Sequence, residues 1–278
     1  MTVPTATPNN GLQVRNLVKH FGGVRAVQGV SFEVVPGECV ALIGPNGAGK
    51  STTFACIAGQ HAVTSGEVLW AGQNMGHLAP ARRLHAGVAR TFQVAQTFEA
   101  LTVLQNVLLA QRALKSLSAF QVLERVEQAD SGVAMALLMR LGLREEAHRP
   151  VLGLPYGLKK RLELALALAG ISADNSNSTG LASDRAPIHP LKPKLLLLDE
   201  PAAGLAAPER AALMQTVKHQ AAQGMAVLYT EHNMDAVFGV ADRVLVLIDG
   251  KIAAQGTPAA IAQDSTVQRR YLGLNFHA

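Results

Sequence analysis

The residues of this chain best suited to chemistry stand in two short runs. The first, GPNGAGKS from Gly44 to Ser51, has the pattern G-x-x-x-x-G-K-[ST]. Closely spaced glycines let backbone N–H groups converge on an anion, and a helix starting at the end of the loop adds partial positive charge. In that arrangement Lys50 reaches the β- and γ-phosphates of a nucleotide, and the Ser51 hydroxyl reaches Mg²⁺. At average residue usage, a chain of this length shows the pattern by chance roughly once in a hundred. The second run, LLLLDEP, is an apolar stretch that ends in Asp199 and Glu200. A strand ending there brings Asp199 to the metal shell and sets Glu200 to polarise an attacking water.

Both runs need strands behind them, and the pattern supplies these. CVALI, directly before Gly44, is a near-continuous apolar run of the kind buried on both faces of a parallel sheet. A helix should follow from about Gly49 to Ala58, with Gly59 as its stop. Upstream, LQVRNLVKHF and VQGVSFEVV read as strands, the second closed by a turn at Pro36 to Glu38, and GEVLW as a further short strand. Leu195 to Glu200 and Ala226 to His232 read as strands with a helix near Glu209 to Gln223 between them. VLVLI and KIAAQG form a hairpin turning on Asp249-Gly250.

From Leu101 the period becomes helical. Thr102 and Gln105 stand at capping-box spacing, with Val103, Val107 and Ala110 on one face. Residues 94–153 therefore read as a mostly helical insertion in an α/β chain. Residues 170–194, rich in Ser, Asn, Asp and Pro, read as a long polar loop.

Composition narrows the class. With 49% hydrophobic and 16% charged residues, the chain can build a full core. Its two cysteines, Cys39 and Cys56, lie in apolar patterns without metal-like spacing, which fits a reducing compartment. The N-terminus lacks the charge and apolar pattern of a signal peptide, and no apolar stretch reaches the ~18 residues that span a bilayer. The expectation is a soluble, cytoplasmic protein. Net charge is +5, but the longest basic runs, Arg82-Arg83 and Lys159-Lys160-Arg161, are too short to form a nucleic-acid surface.

Taken together, these motifs resemble the ATP-binding subunits of ABC transporters, over nearly everything from Gly11 to Gly273. GPNGAGKST matches the Walker A loop, so Gly44, Pro45, Asn46, Gly47, Ala48, Gly49, Lys50, Ser51 and Thr52 are expected around ATP. LLLLDEP matches the Walker B strand with its glutamate. Gln93 in RTFQ matches the Q-loop glutamine, a sensor of Mg²⁺ that faces the membrane subunit, and His232 in YTEHNMDAV matches the switch histidine at the γ-phosphate. Phe21 in HFGGVRAV stands where the family stacks an aromatic on adenine. The resemblance implies Glu200, His232, Gln93 and Lys50 as catalytic groups, and Ser51, Gln93 and Asp199 around the metal. It implies a P-loop NTPase (RecA-like) α/β core over 11–93 and 154–262, with an antiparallel β subdomain and an inserted helical subdomain at 94–153. Residues 1–10 and 263–278 would be tails.

Within the family, RTFQ followed by TFEALTVLQNVLLA, then EPAAGL and the ending GTPAAIAQDSTVQRRYLG resemble the ATPases of branched-chain amino-acid uptake systems. Such a subunit lies on the inner face of the membrane beside a second ATPase, identical or related. Its other partners are two permease subunits and, indirectly, an extracytoplasmic solute-binding protein. The urea and short-amide importers look similar, and a non-transport soluble ABC ATPase is the alternative of a different class. That alternative would bring a second cassette or a long coiled coil, and neither is present in the sequence.

Three positions depart from the pattern. The signature loop, usually close to LSGGQ, reads LPYGL, with Pro155, Tyr156 and Leu158 in place of Ser, Gly and Gln; Gly157 is retained. In the dimer this loop would face the ATP held by the partner subunit. Ala206 replaces the polar D-loop residue, and residues 170–194 lengthen a normally short link.

Overall fold

A computed structural model of the chain describes residues 11–91, 97–112, 131–172 and 194–272. They fall into two compact units, Met1–Arg83 with Pro193–Ala278, and Leu84–Lys192. The elements, in chain order, are β1 (Leu12–Phe21), β2 (Val24–Val34), β3 (Cys39–Ile43), α1 (Lys50–Ala58), β4 (Ser65–Trp70), β5 (Gln73–Asn74), α2 (Pro80–His85), β6 (Val88–Arg90), α3 (Val103–Arg112), α4 (Ser131–Arg140), α5 (Tyr156–Ser172), β7 (Leu195–Asp199), α6 (Ala207–Ala222), β8 (Ala226–Thr230), α7 (Met234–Phe238), β9 (Arg243–Ile248), β10 (Lys251–Gly256) and α8 (Pro258–Gln263).

In the first unit every residue of β3, β7 and β8 is buried, and each strand is apolar except for Asp199 and Thr230 at the ends of β7 and β8 and the Tyr229 hydroxyl. Strands sealed on both faces of a parallel sheet need that composition. The order is β10–β9–β3–β8–β7, with β3 parallel to both β8 and β9, and β7 parallel to β8. Register does the functional work. Leu42 pairs with Thr230, and Asp199 also pairs with Thr230. The carboxyl ends of β3, β7 and β8 therefore emerge along one edge, where open α/β sheets bind ligands.

The second sheet of this unit is antiparallel, in the order β2–β1–β4–β5, and carries Phe21 at the end of β1. The hairpin between β9 and β10 turns on Asp249 (φ 49°) and Gly250 (φ 74°), with Ile248 paired to Lys251. Two positive φ values are what a two-residue type I′ turn requires.

Helix α1 is closed at its end by Gly59 in the left-handed conformation. Beyond it, the buried Arg83 guanidinium donates to the carbonyls of Cys56, Ile57 and Leu78. The carbonyls of Cys56 and Ile57 are among those left over where α1 ends, so Arg83 secures the far end of the helix that begins at Lys50.

In the second unit, α3 packs on both α4 and α5, and Val103, Val107 and Leu108 of α3, Leu137 and Leu138 of α4 and Leu162 of α5 are buried. The capping box forms as its spacing predicts: the Thr102 N–H donates to Gln105 Oε1 at 2.9 Å, and the Gln105 N–H donates to Thr102 Oγ1 at 3.2 Å. Ala110 is only half-buried, and Asn106 occupies the inner face instead. Its side-chain amide donates to Phe98 O and Thr102 O and accepts the Phe98 N–H, so a buried polar group is fully satisfied.

Three expectations are adjusted. The strands expected to reach Glu200 and His232 end at Asp199 and Thr230, freeing both residues from the sheet. Helix α5 continues through Gly170 to Ser172, so those residues are helix and not loop; 173–193 lie outside the described residues. The helix expected near Glu209 to Gln223 starts earlier, at Ala207.

Candidate active site

The phosphate loop runs from the end of β3 to the start of α1. Gly44 has φ 149°, and a Cβ there would lie 2.0 Å from the Leu247 carbonyl oxygen. Gly49 has φ 100°, and a Cβ there would lie 2.4 Å from the Ala26 oxygen. Backbone from two neighbouring strands closes on the loop, and no side chain fits at either position. Lys50 is buried and arches back, donating to the carbonyls of Gly44 at 2.7 Å and Pro45 at 3.0 Å. Burial pushes its ammonium down from the ordinary lysine range, while the carboxylates of Glu200 and Asp199 oppose that shift. The ammonium and the two acids thus share one field. Ser51, in the first turn of α1, is exposed, and Thr52 half-buried.

The acids are held by the strand beside them. Thr230 Oγ1 donates to Asp199 Oδ1 at 2.8 Å and accepts the Glu200 N–H at 3.0 Å. Glu200 adopts φ 49°, a left-handed conformation that costs a non-glycine residue on the order of 1–2 kcal/mol. The turn redirects the chain out of β7 and brings the Glu200 carboxylate to His232, with Oε1 2.8 Å from Nε2. A carboxylate only accepts hydrogen bonds, so in this contact Nε2 carries the proton.

Glu231, next to His232, is buried, and burial raises its carboxyl above the ordinary range. The N–H groups of Ala202, His232 and Asn233 pull the other way, and the charge of Glu200 adds to the rise. At the far end of this unit, the turn Gln268–Leu272 carries Tyr271. Burial raises the Tyr271 hydroxyl, and the Gly44 N–H that bonds it partly offsets the rise.

Phe21 is 43% exposed, with the Lys19 ammonium 4.7 Å from its ring centre and His61 edge-on at 5.2 Å. Gln93 lies outside the described residues. Gly157 is buried in the first turn of α5, next to an exposed Tyr156 whose ring lies 5.7 Å from the Lys160 ammonium. Of the residues expected to act, the structure thus brings Lys50, Asp199, Glu200 and His232 to one edge of the first unit. Thr230, Glu231 and Tyr271 were missed. A Thr-Glu pair closing an apolar strand was the available signal for the first two, and nothing in the sequence marked Tyr271.

A phosphate loop, paired acids and a histidine bonded to one of them, on a parallel sheet, define a P-loop ATPase of the ATP-binding-cassette kind. The profile of the ABC transporter family matches residues 27–172, and the chain belongs to that family, as an ATP-hydrolysing subunit. It is 35% identical over 269 residues to the high-affinity branched-chain amino acid transport ATP-binding protein LivG of Escherichia coli K12, covering 94% of this chain and 97% of that one. The corresponding protein BraF of Pseudomonas aeruginosa is 33% identical over the same share of each chain. A nucleotide-free ATP-binding cassette from an ABC transporter superposes with a TM-score of 0.76 at 29% identity, covering 95% of this chain and 99% of that one.

Proposed function

We propose that this chain drives an importer of branched-chain amino acids by hydrolysing Mg-ATP on the inner face of the membrane. The observation that carries the reading is the 2.8 Å contact of His232 Nε2 with Glu200 Oε1 beside the phosphate loop. Similarity to LivG over nearly its whole length supports the transported class. Among the described residues no helix is long and apolar enough to cross a membrane, so the pathway belongs to permease subunits.

The donors present suit both ligands. The glycine loop and Lys50 suit the phosphates, and the oxygens of Ser51 and Asp199 are the hard donors that Mg²⁺ takes, joined by Gln93. The ion would neutralise charge on the phosphate oxygens. Glu200 Oε1 accepts a proton from the attacking water, His232 Nε2 holds Glu200 and contacts the γ-phosphate, and Lys50 stabilises its charge. Phe21 stacks on adenine.

A second ATPase subunit completes each site. Its signature loop covers the ATP on this Lys50, while LPYGL here covers the partner's ATP. ATP must bind the closed pair better than the open one for closure to do work. Residues 94–153 dock on the permease, and a solute-binding protein outside the membrane delivers the solute. Uptake of labelled leucine, urea and acetamide in cells lacking this chain, with and without its restoration, tests the reading. Restored leucine uptake supports it; restored urea or acetamide uptake alone assigns the chain to an amide importer. Failure of the chain to copurify with integral membrane proteins would sink transport altogether.

A further inference from the structure

One buried carboxylate bridges the backbone of His232 to the turn that follows Glu200. Glu231 is 3% exposed. Its Oε1 accepts the Ala202 N–H at 2.9 Å, and its Oε2 accepts the His232 N–H at 3.1 Å. Ala202 lies two residues beyond Glu200, in the turn closed by the Ala203 N–H on the Glu200 carbonyl at 3.2 Å. The turn holds Glu200 in its unfavourable left-handed conformation. Thr230 anchors the near side of that turn, accepting the Glu200 N–H with both its carbonyl and its hydroxyl oxygen. Glu231 anchors the far side and is also the residue that leads the chain into His232.

Three N–H groups face this side chain, those of Ala202, His232 and Asn233, and the first two bond different oxygens, so it needs two acceptor oxygens. A glutamine offers one and would turn an NH₂ group toward the other donor. The position therefore demands a carboxylate, in a place where burying one is costly. We propose that Glu231 is a positioning residue for hydrolysis, clamping the His232 backbone to the turn after Glu200 so that Nε2 and Oε1 stay in contact. The inference rests on the roles given above to Glu200 and His232.

The test is Glu231→Gln in the full chain within its transport complex. Turnover should fall by about tenfold or more, with the KM for ATP changed less than about twofold, because the phosphate loop and Lys50 are untouched. Exchange of the Ala202 and His232 amides should accelerate together. In a His232→Ala background the same change should lower turnover by less than about twofold, since the contact it protects is already gone. Turnover within twofold of wild type, or an undiminished loss in the His232→Ala background, overturns the proposal. If Glu231→Gln does not fold, Glu231→Asp keeps both acceptors but withdraws them by one methylene, and the same split is expected. If His232→Ala and Glu200→Gln both leave turnover intact, the reading of the site has failed. If they lower turnover and Glu231→Gln does not, only the clamp has failed.

Discussion

Glu200 and His232, which stand 32 positions apart in the chain, meet at 2.8 Å because β7 and β8 are parallel neighbours in register and each ends one or two residues before its functional side chain. The pair lies beyond the sheet, where the chain can bend toward a ligand. Replacing His232 with Ala removes one hydrogen bond to a charged group, worth roughly 1.5–3 kcal/mol, so kcat should fall about 10- to 100-fold. The KM for ATP should change little. Steady-state ATPase assays on the assembled complex check this split.

Pro155 stands directly before α5, its carbonyl accepting the N–H of Lys159 at 3.0 Å. Proline removes a hydroxyl and an N–H that could face the partner's ATP, but it does not disturb the helix that follows. Pro155→Ser should therefore raise turnover at the partner's site by at most about 10- to 100-fold and leave the Glu200 site unchanged. Assays with the partner's site inactivated separate the two.

Ala206 is the N-cap of α6 and supplies no side-chain acceptor; its carbonyl takes the Arg210 N–H at 2.9 Å. Ala206→Asp restores an acceptor for the open N–H groups and should stabilise the fold by about 1 kcal/mol. For a chain of this size that raises Tm by roughly 2–4 °C, read by calorimetry or circular dichroism.

Much of this was legible because the signals are local. Glycines at 44 and 49, an apolar run ending in Asp199 and the Thr102–Gln105 spacing each fix geometry within a few residues. The sites where strands end were less legible: Glu200 and His232 look like strand continuations by composition, and only the left-handed turn at Glu200 and the bonds from Thr230 move them off the sheet. Glu231 is buried because the N–H of Ala202, 29 positions away, needs it, and a partner on a neighbouring strand's loop leaves no pattern along the chain. Asn106 is buried by the backbone of the irregular turn just before its own helix, which helical periodicity does not reveal. Tyr271 reaches Gly44 from the other end of the sequence, with nothing near it to mark the contact.

Cys39 is fully buried in β3, and burial pushes its thiol up to about 12, with the Lys218 charge only partly offsetting the rise. Burial raises Cys56 as well. A thiol raised so far is only about one part in ten thousand thiolate at pH 8, and the thiolate is the reactive form. Neither cysteine should react with iodoacetamide in the folded protein at that pH, and both should react in guanidinium chloride. Mass spectrometry of the alkylated chain decides it. Ready labelling of native Cys39 would contradict its burial.

Glu200 is assigned as the base of a working ATPase site, and Glu200→Gln in the assembled complex tests that role. Glutamine keeps the shape of the side chain and cannot take the proton of the attacking water. ATP should still bind, while turnover at this site falls by about 100-fold or more, the range that general-base catalysis supplies. A variant that turns over ATP within twofold of wild type would contradict the assignment of this site.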